Sequence, residues 1–139
     1  MSLHLFIKIY RVNKRLKRMK QLTKVEEEIM QHLWELNEAT VAGIIERMPE
    51  PKPAYNTIST IIRILENKEF VTHRKQGKGY IYLPIIKKEE YSSQSLNKLM
   101  NNYFNGSFKN MVSFFIKKND MNMQEFEEIL KEINKEKKD

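Results

Sequence analysis

The segment from Tyr55 to Asn67 constrains the fold more than any other part of the chain. Its aliphatic side chains recur at spacings of three and four residues, as on one face of an α-helix: Ile58, Ile61, Ile62 and Leu65. The opposite face carries short polar side chains and has no acid between Asn56 and Arg63. This pattern predicts a helix that is anchored by isoleucines and presents a polar row outward.

Two further helices are predicted upstream of this segment. Thr23 and Glu26 have the spacing of a capping box, which marks a helix start. An apolar stripe accompanies it, formed by Leu22, Val25, Ile29, Leu33 and Leu36. Thr40 is placed to cap a short second helix that runs to about Met48, where closely spaced prolines end it. Together the three segments predict a tri-helical core.

Two short extended runs follow the third helix, at residues 70–75 and 80–84. The glycines Gly77 and Gly79 between them supply the backbone freedom that a hairpin turn needs. Three helices followed by a basic-tipped hairpin are the order of a winged helix-turn-helix. We therefore predict a mainly α fold with a small β wing, in which residues 21–85 form a DNA-binding domain.

The C-terminal part, residues 86–139, has three short helical stripes with large apolar faces. About fifty residues in short helices form a marginal independent core, so we expect these faces to be buried against a second copy. The predicted dimerisation residues are Leu96, Leu99, Met100, Tyr103, Phe104, Phe108, Met111, Val112, Phe115, Phe126, Ile129, Leu130 and Ile133.

The distribution of charge is more informative than the net charge of +7. Residues 1–20 carry seven Lys and Arg and no acid, which leaves 18 basic against 18 acidic side chains elsewhere. Any DNA-binding surface in the body must therefore arise from local segregation of charge. We interpret residues 1–20 as a disordered basic extension. It either adds phosphate contacts or precedes a functional chain that begins near Met19.

Composition excludes several classes of function. The chain has no cysteine and only three histidines, which are far apart in sequence. Disulfides, thiolate sites and cysteine nucleophiles are thereby excluded, and a reducing cytoplasmic setting is favoured. No carboxylate pair, phosphate-cradling loop or nucleophile–base set has a usable spacing. We expect no enzyme, no metal, no cofactor and no small-molecule substrate.

The third helix and the hairpin hold the candidate DNA-binding residues. Asn56 has the paired donor and acceptor that suit adenine, and Arg63 suits a phosphate or a guanine. The whole set comprises Lys52, Tyr55, Asn56, Thr57, Ser59, Thr60, Arg63, Arg74, Lys75 and Lys78. Two alternatives remain open at this point: the polar row is only the solvated side of a helix, or the winged fold is a protein-interaction module that does not read DNA.

The sequence also resembles the penicillinase-repressor family of transcription regulators from Leu22 to the end. The resemblance rests on runs at 22–30, 54–58, 65–68 and 80–84, and on residues 108–115 and 120–130 in the C-terminal part. It implies a repressor that binds dyad-symmetric operators as a homodimer and controls antibiotic-resistance genes. In several members a membrane-bound sensor metalloprotease inactivates the repressor by cleavage within the dimerisation domain.

Three positions depart from the family pattern. The cleaved Asn–Phe bond of familiar members corresponds here to Phe114–Phe115, so only the second residue fits; both residues alternatively belong to the dimer core. Glu69 stands where many members have glycine, and the arginine near the end of the third helix is displaced by one position, to Arg63. The copper-responsive branch relies on cysteine pairs, which this chain lacks.

Overall fold

The computed structural model of the chain describes residues 2–7 and 20–138. From residue 20 onward the elements are α1 (Lys24–Leu36), α2 (Val41–Glu46), α3 (Tyr55–Asn67), β1 (Val71–Gln76), β2 (Gly79–Pro84), α4 (Lys88–Tyr103), α5 (Phe108–Lys118) and α6 (Met123–Lys138). Apart from a helical turn at 3–7 and from Lys20, the predicted basic extension lies outside the described residues.

The chain divides into two compact units, Met1–Gln94 and Ser95–Asp139. The predicted boundary after residue 85 falls ahead of α4, whereas the observed division falls within that helix. The difference arises because the first turn of α4 packs in the first unit. That residues 21–85 and 86–139 act as separate domains stays a prediction.

The first unit is a tri-helical core with a two-stranded wing, which confirms the predicted fold class. The apolar faces of the three helices and the base of the wing form one buried cluster, whose fully enclosed members include Ile29, Met30, Leu33, Ile44, Ile58, Ile62, Leu65, Phe70 and Val71. One expectation needs correction. Val25 is exposed and Met30 is buried in its place, because the inner face of α1 runs through Glu26 and Met30.

Both predicted helix starts are confirmed at atomic detail. At α1 the Glu26 N–H donates to the Thr23 hydroxyl (3.3 Å), and the Thr23 N–H donates to the Glu26 carboxylate (3.4 Å). At α2 the Gly43 N–H donates to Thr40 Oγ1 at 3.0 Å. These bonds satisfy amides that have no partner within their own helix, and so they fix where each helix begins.

Glu26 also forms an ion pair with Lys68, which links the start of α1 to the end of α3. Both carboxylate oxygens lie 2.7 Å from Lys68 Nζ, and Glu26 is only 4% exposed. Burial raises the pKa of Glu26, but hydrogen bonds from Lys68 and Thr23 outweigh it and bring the pKa below its usual range. The carboxylate is therefore held in its charged form.

The wing is an antiparallel hairpin with Val71 opposite Pro84 at its base and Gln76 opposite Gly79 at its tip. Gly77 in the turn has a φ of 60°, a conformation that glycine adopts without strain. The turn between α1 and α2 pairs with β2 through a single β-bridge, in which Ala39 and Tyr82 exchange both backbone hydrogen bonds (2.8 and 3.0 Å). This bridge joins the hairpin to the tri-helical core just before the start of α2.

The beginning of α4 is anchored to the first unit by Tyr91. Its hydroxyl accepts the Leu22 N–H at 3.1 Å, and its ring lies edge-on to Phe70 with centroids 5.6 Å apart. Trp34 contacts the same ring and donates its indole N–H to the Ile86 carbonyl at 2.9 Å. The only tryptophan of the chain therefore reports on the packing of this unit.

Helix α3 ends in a Schellman motif that turns the chain into the wing. The Phe70 N–H donates to the Leu65 carbonyl (2.9 Å), and the Glu69 N–H donates to the Glu66 carbonyl (3.0 Å). The motif needs a residue with a left-handed backbone directly before Phe70, and Glu69 takes that role with a φ of 65°. This explains why glycine suits the position, as it does in many sequences that the chain resembles.

The second unit contains α5, α6 and the rest of α4, and it has no buried core. None of the side chains described between 95 and 137 is fully buried. Its one ring–ring contact among the described residues joins Phe104 and Phe114, with centroids 5.5 Å apart. A helical unit with this much exposed apolar surface gains little stability from its own packing.

Replacing Glu69 by glycine is expected to raise the free energy of unfolding by about 1 kcal/mol, since a left-handed backbone costs a residue with a β-carbon about that much. Urea unfolding followed by Trp34 fluorescence measures this change in the free energy of unfolding. Glu69→Ala is the matched control, because it removes the charge and keeps the β-carbon. Equal stabilisation by alanine and glycine would show that charge, and not backbone strain, is responsible.

Replacing Glu26 by glutamine is expected to lower the free energy of unfolding at pH 7 by about 2 kcal/mol, since it weakens the hydrogen bonds that the charged Glu26 carboxylate accepts from Lys68. The pKa of Glu26 is lower in the folded state than its ordinary value of 4.5. The carboxylate therefore stabilises the fold above that value, and its contribution is lost as the pH falls through the folded-state pKa. The wild type should thus lose more stability than Glu26→Gln between pH 6 and strongly acidic solution; parallel pH profiles would contradict this.

Candidate nucleic-acid interface

A groove of about 580 Å³ lies between α3, the start of α2 and the wing. The α3 side is lined by Tyr55, Asn56, Ser59, Arg63 and Glu66. The wing side is lined by His73, Lys78, Gly79, Tyr80 and Tyr82, and the third side by residues 40–42. The structure thus brings Asn56, Ser59 and Arg63 of α3 together with Lys78 of the hairpin tip in one groove. The predicted residues Thr57, Thr60 and Lys75 do not line this groove.

The polar row of α3 is not uniformly available for contact. Asn56, Thr57 and Thr60 are exposed, whereas Ser59 is only 9% exposed. Thr60 Oγ1 donates to the Asn56 carbonyl at 2.8 Å, so its hydroxyl hydrogen is engaged and it offers a partner an acceptor and a methyl group. Among the described residues the Asn56 amide has no partner, and it keeps both donor and acceptor free.

Lys52, before α3, and Tyr55, the first residue of α3, are both exposed, and Lys52 also has a structural contact. Lys52 donates its ammonium to the Glu46 and Met48 carbonyls at 2.8 and 2.5 Å, so it caps the C-terminal end of α2. Tyr55 is exposed on the first turn of α3. Ala54, at the N-cap, gives no side-chain hydrogen bond to the amides of that turn.

The basic side chains near the groove also fall into two groups. Arg63, Lys75 and Lys78 are exposed and form no ion pair with any residue the structure describes. Arg74 instead makes a bidentate pair with Glu38, with Nη1–Oε2 at 2.7 Å and Nη2–Oε1 at 3.0 Å. The Arg74 hydrogen bonds hold the pKa of Glu38 below its usual range. The sequence gives no sign of this pair, since the partners are 36 residues apart.

His73 and Glu66 join the wing to α3 inside the groove. His73 Nδ1 lies 2.6 Å from a Glu66 carboxylate oxygen, and its ring contacts Tyr80 and Tyr82 at centroid distances of 4.9 and 5.9 Å. Burial, followed by the charge of Glu66, raises the pKa of the Tyr82 hydroxyl. Sequence reasoning missed Glu66, although its position three residues after Arg63 places it on the same side of α3.

The predicted dimerisation residues all lie on α4, α5, α6 or the turn after α4. Eight are exposed, namely Leu96, Leu99, Tyr103, Phe108, Phe115, Ile129, Leu130 and Ile133, and the other five are half-buried. Phe114 and Phe115 are both exposed on α5. Cleavage between them stays a prediction from the family resemblance.

The described ranges, residues 2–7 and 20–138, contain no cluster of His, Asp and Glu arranged to hold a metal ion. They also contain no helix that is long and apolar enough to cross a membrane.

A tri-helical core whose third helix meets a basic hairpin across a groove is the architecture of the winged helix-turn-helix DNA-binding regulators. The chain belongs to one family of them: the penicillinase repressor family matches residues 22–135. Members of this family are DNA-binding regulators and not enzymes, as the sequence indicated.

Curated relatives are similar over most of their length. The methicillin resistance regulatory protein MecI of Staphylococcus aureus (strain N315) is 27% identical over 116 residues, which cover 83% of this chain and 94% of MecI. The penicillinase repressor of Bacillus licheniformis is 25% identical, covering 82% of this chain and 90% of that protein. The solution structure of the DNA binding domain of the repressor BlaI has 24% identity and a TM-score of 0.47, covering 52% of this chain and 90% of that domain.

Proposed function

We propose that the chain is a transcriptional repressor that binds dyad-symmetric operator DNA as a homodimer. The observation that carries the proposal is the exposed Asn56 amide on α3, facing a groove whose other wall is the basic tip of the wing. Membership of the penicillinase repressor family supports the same function. Control of genes of the antibiotic-resistance type, and release by proteolysis in the C-terminal part, rest on the family resemblance alone.

In the proposed complex α3 lies in the major groove of DNA. Asn56 pairs with an adenine, for which its adjacent donor and acceptor are suited. Thr60 contributes its methyl group and an acceptor, and Arg63 reaches a guanine or a phosphate further along the helix. Lys75 and Lys78 contact the phosphate backbone from the wing. Ser59 is buried, supports the helix and does not contact bases.

The proposal predicts specific binding to the intergenic DNA upstream of the gene that encodes the chain. Asn56→Ala is expected to weaken this binding by about tenfold or more, because one bidentate base contact discriminates by about 1–3 kcal/mol. Binding to a random-sequence duplex of equal length should change little. Gel shifts with both duplexes measure the effect.

Lys78→Ala is the companion variant, since a phosphate contact has a different signature. It should weaken binding to both duplexes and reduce the slope of log affinity against log salt by about 0.9. Wild-type protein that retards neither duplex would refute the proposed function. A protein-interaction module with a winged fold would give that result, with Asn56→Ala changing no binding at all.

Homodimerisation is supported by the second unit. Its helices expose apolar side chains along their lengths and enclose none completely. A second copy with the same surface is a self-complementary partner, which is the usual arrangement in two-fold dimers. The two recognition helices of the dimer then bind half-sites about one turn of DNA apart, roughly 10 base pairs or slightly more. Linking the two DNA-binding units raises the affinity of the dimer for DNA well above that of one unit.

Ile129→Glu is expected to convert the dimer into a monomer at micromolar concentration, because it places a charge in the apolar surface that the copies share. Asn134→Glu is the matched control: it adds the same charge to α6 at an exposed polar position. Sedimentation velocity gives the oligomeric state, and circular dichroism shows whether helix content is retained. A wild type that sediments as a monomer would overturn the dimer and leave DNA binding by α3 to be tested separately.

A further inference from the structure

Helix packing fixes the base of the wing but not the rest of it. In β1 only Val71 is buried, and the five residues from Thr72 to Gln76 are exposed. In β2 the only buried side chain is Tyr82. An isolated two-stranded hairpin is marginally stable in water, so polar contacts help to set the direction in which the tip points. The His73–Glu66 contact does so on the groove side of the hairpin.

Arg74 and Glu38 provide such a contact on the outer face of the hairpin. Side chains alternate across a strand, and His73 faces the groove, so Arg74 faces away from it. Arg74 is accordingly absent from the groove lining, whereas His73, Tyr80 and Tyr82 are present. Its guanidinium therefore points away from the surface to which the proposed function assigns DNA.

Glu38 lies in a segment that is fixed to the rest of the unit. The next residue, Ala39, pairs with Tyr82 through two backbone hydrogen bonds, and Thr40 then caps α2. An ion pair from Glu38 to Arg74 therefore ties β1, the strand farther from this segment, to the start of α2. The bidentate geometry restricts direction as well as distance, which a single hydrogen bond does not.

We infer that Glu38 and Arg74 are positioning residues for DNA binding: their ion pair holds the wing at the angle that brings Lys75 and Lys78 to the phosphate backbone. This inference rests on the proposed function. It replaces our expectation that Arg74 itself contacts DNA. An acidic residue is thus required for affinity to a polyanion, although by its charge alone it opposes that binding.

The central test is Glu38→Gln, which removes a negative charge and keeps the shape of the side chain. If the ion pair positions the wing, this variant binds the upstream duplex about fivefold more weakly, the loss expected for about one phosphate contact near 0.15 M salt. If Arg74 contacts phosphate instead, the same variant frees it and binding becomes tighter. The two readings thus differ in the sign of the effect.

A charge exchange and a matched control sharpen the test. Glu38→Arg combined with Arg74→Glu keeps the net charge and restores the pair in reverse, so affinity should return to within about twofold of the wild type. Glu35→Gln is the control. Glu35 forms an exposed pair with Arg47, neither residue lines the groove, and loss of this pair should not weaken binding.

A double-mutant cycle separates positioning of the wing from a general loss of stability. In a chain that already carries Lys75→Ala and Lys78→Ala, the angle of the wing no longer matters, so adding Glu38→Gln should have no further effect. A stability defect would persist in that background and would also appear in Trp34 fluorescence. Tighter or unchanged binding by Glu38→Gln, with a wild type that binds, overturns this inference and leaves the proposed function standing; failure of the wild type to bind refutes the proposed function.

Discussion

Burial of one face of α3 is the constraint on which the rest of the first unit depends. Ile58, Ile62 and Leu65 are almost completely enclosed, so the helix cannot rotate about its axis without exposing them. Its C-terminal end is fixed twice, by the Schellman turn into Phe70 and by the Lys68–Glu26 pair. With these contacts in place, the outward direction of Asn56 and Arg63 follows from helix geometry alone.

The basic residues around the groove are of two kinds: some are paired within the chain, and others are unpaired among the described residues. Lys52, Lys68 and Arg74 are engaged by carbonyl or carboxylate oxygens of the chain. Arg63, Lys75 and Lys78 form no such contact with any residue that the structure describes. A count of basic residues therefore overstates the phosphate-binding capacity of the surface. Under the proposed function the Lys68 and Arg74 contacts still support the interface, because they hold α3 and β1, the elements that carry Arg63 and Lys75.

Local signals in the sequence were enough to predict the elements of the first unit. The bounds of α3, Tyr55–Asn67, agree with the isoleucine spacing, and both threonine caps make the expected bonds. The contacts that join distant segments were not predictable, because Glu26 and Lys68 are 42 residues apart and no local pattern relates them. For the same reason the pair between Arg74 and Glu38, 36 residues apart, was not predictable. The burial of Ser59 likewise depends on the neighbours of α3 and not on its own sequence.

The two units differ in what a second copy would supply: further DNA contacts for the first, and cover for the exposed apolar faces of the second. The first encloses its core and presents Arg63 on α3 and Lys75 and Lys78 on the wing, which are unpaired among the described residues. Three phosphate contacts alone bind DNA weakly at physiological salt. The second encloses nothing completely, so its stability depends on what covers its apolar faces. A second copy supplies both at once, since covering those faces also brings a second α3 within reach of the same DNA. Under the proposed function, stability of the C-terminal unit and affinity for DNA are therefore consequences of one association equilibrium, and a change that disrupts the apolar faces acts on both.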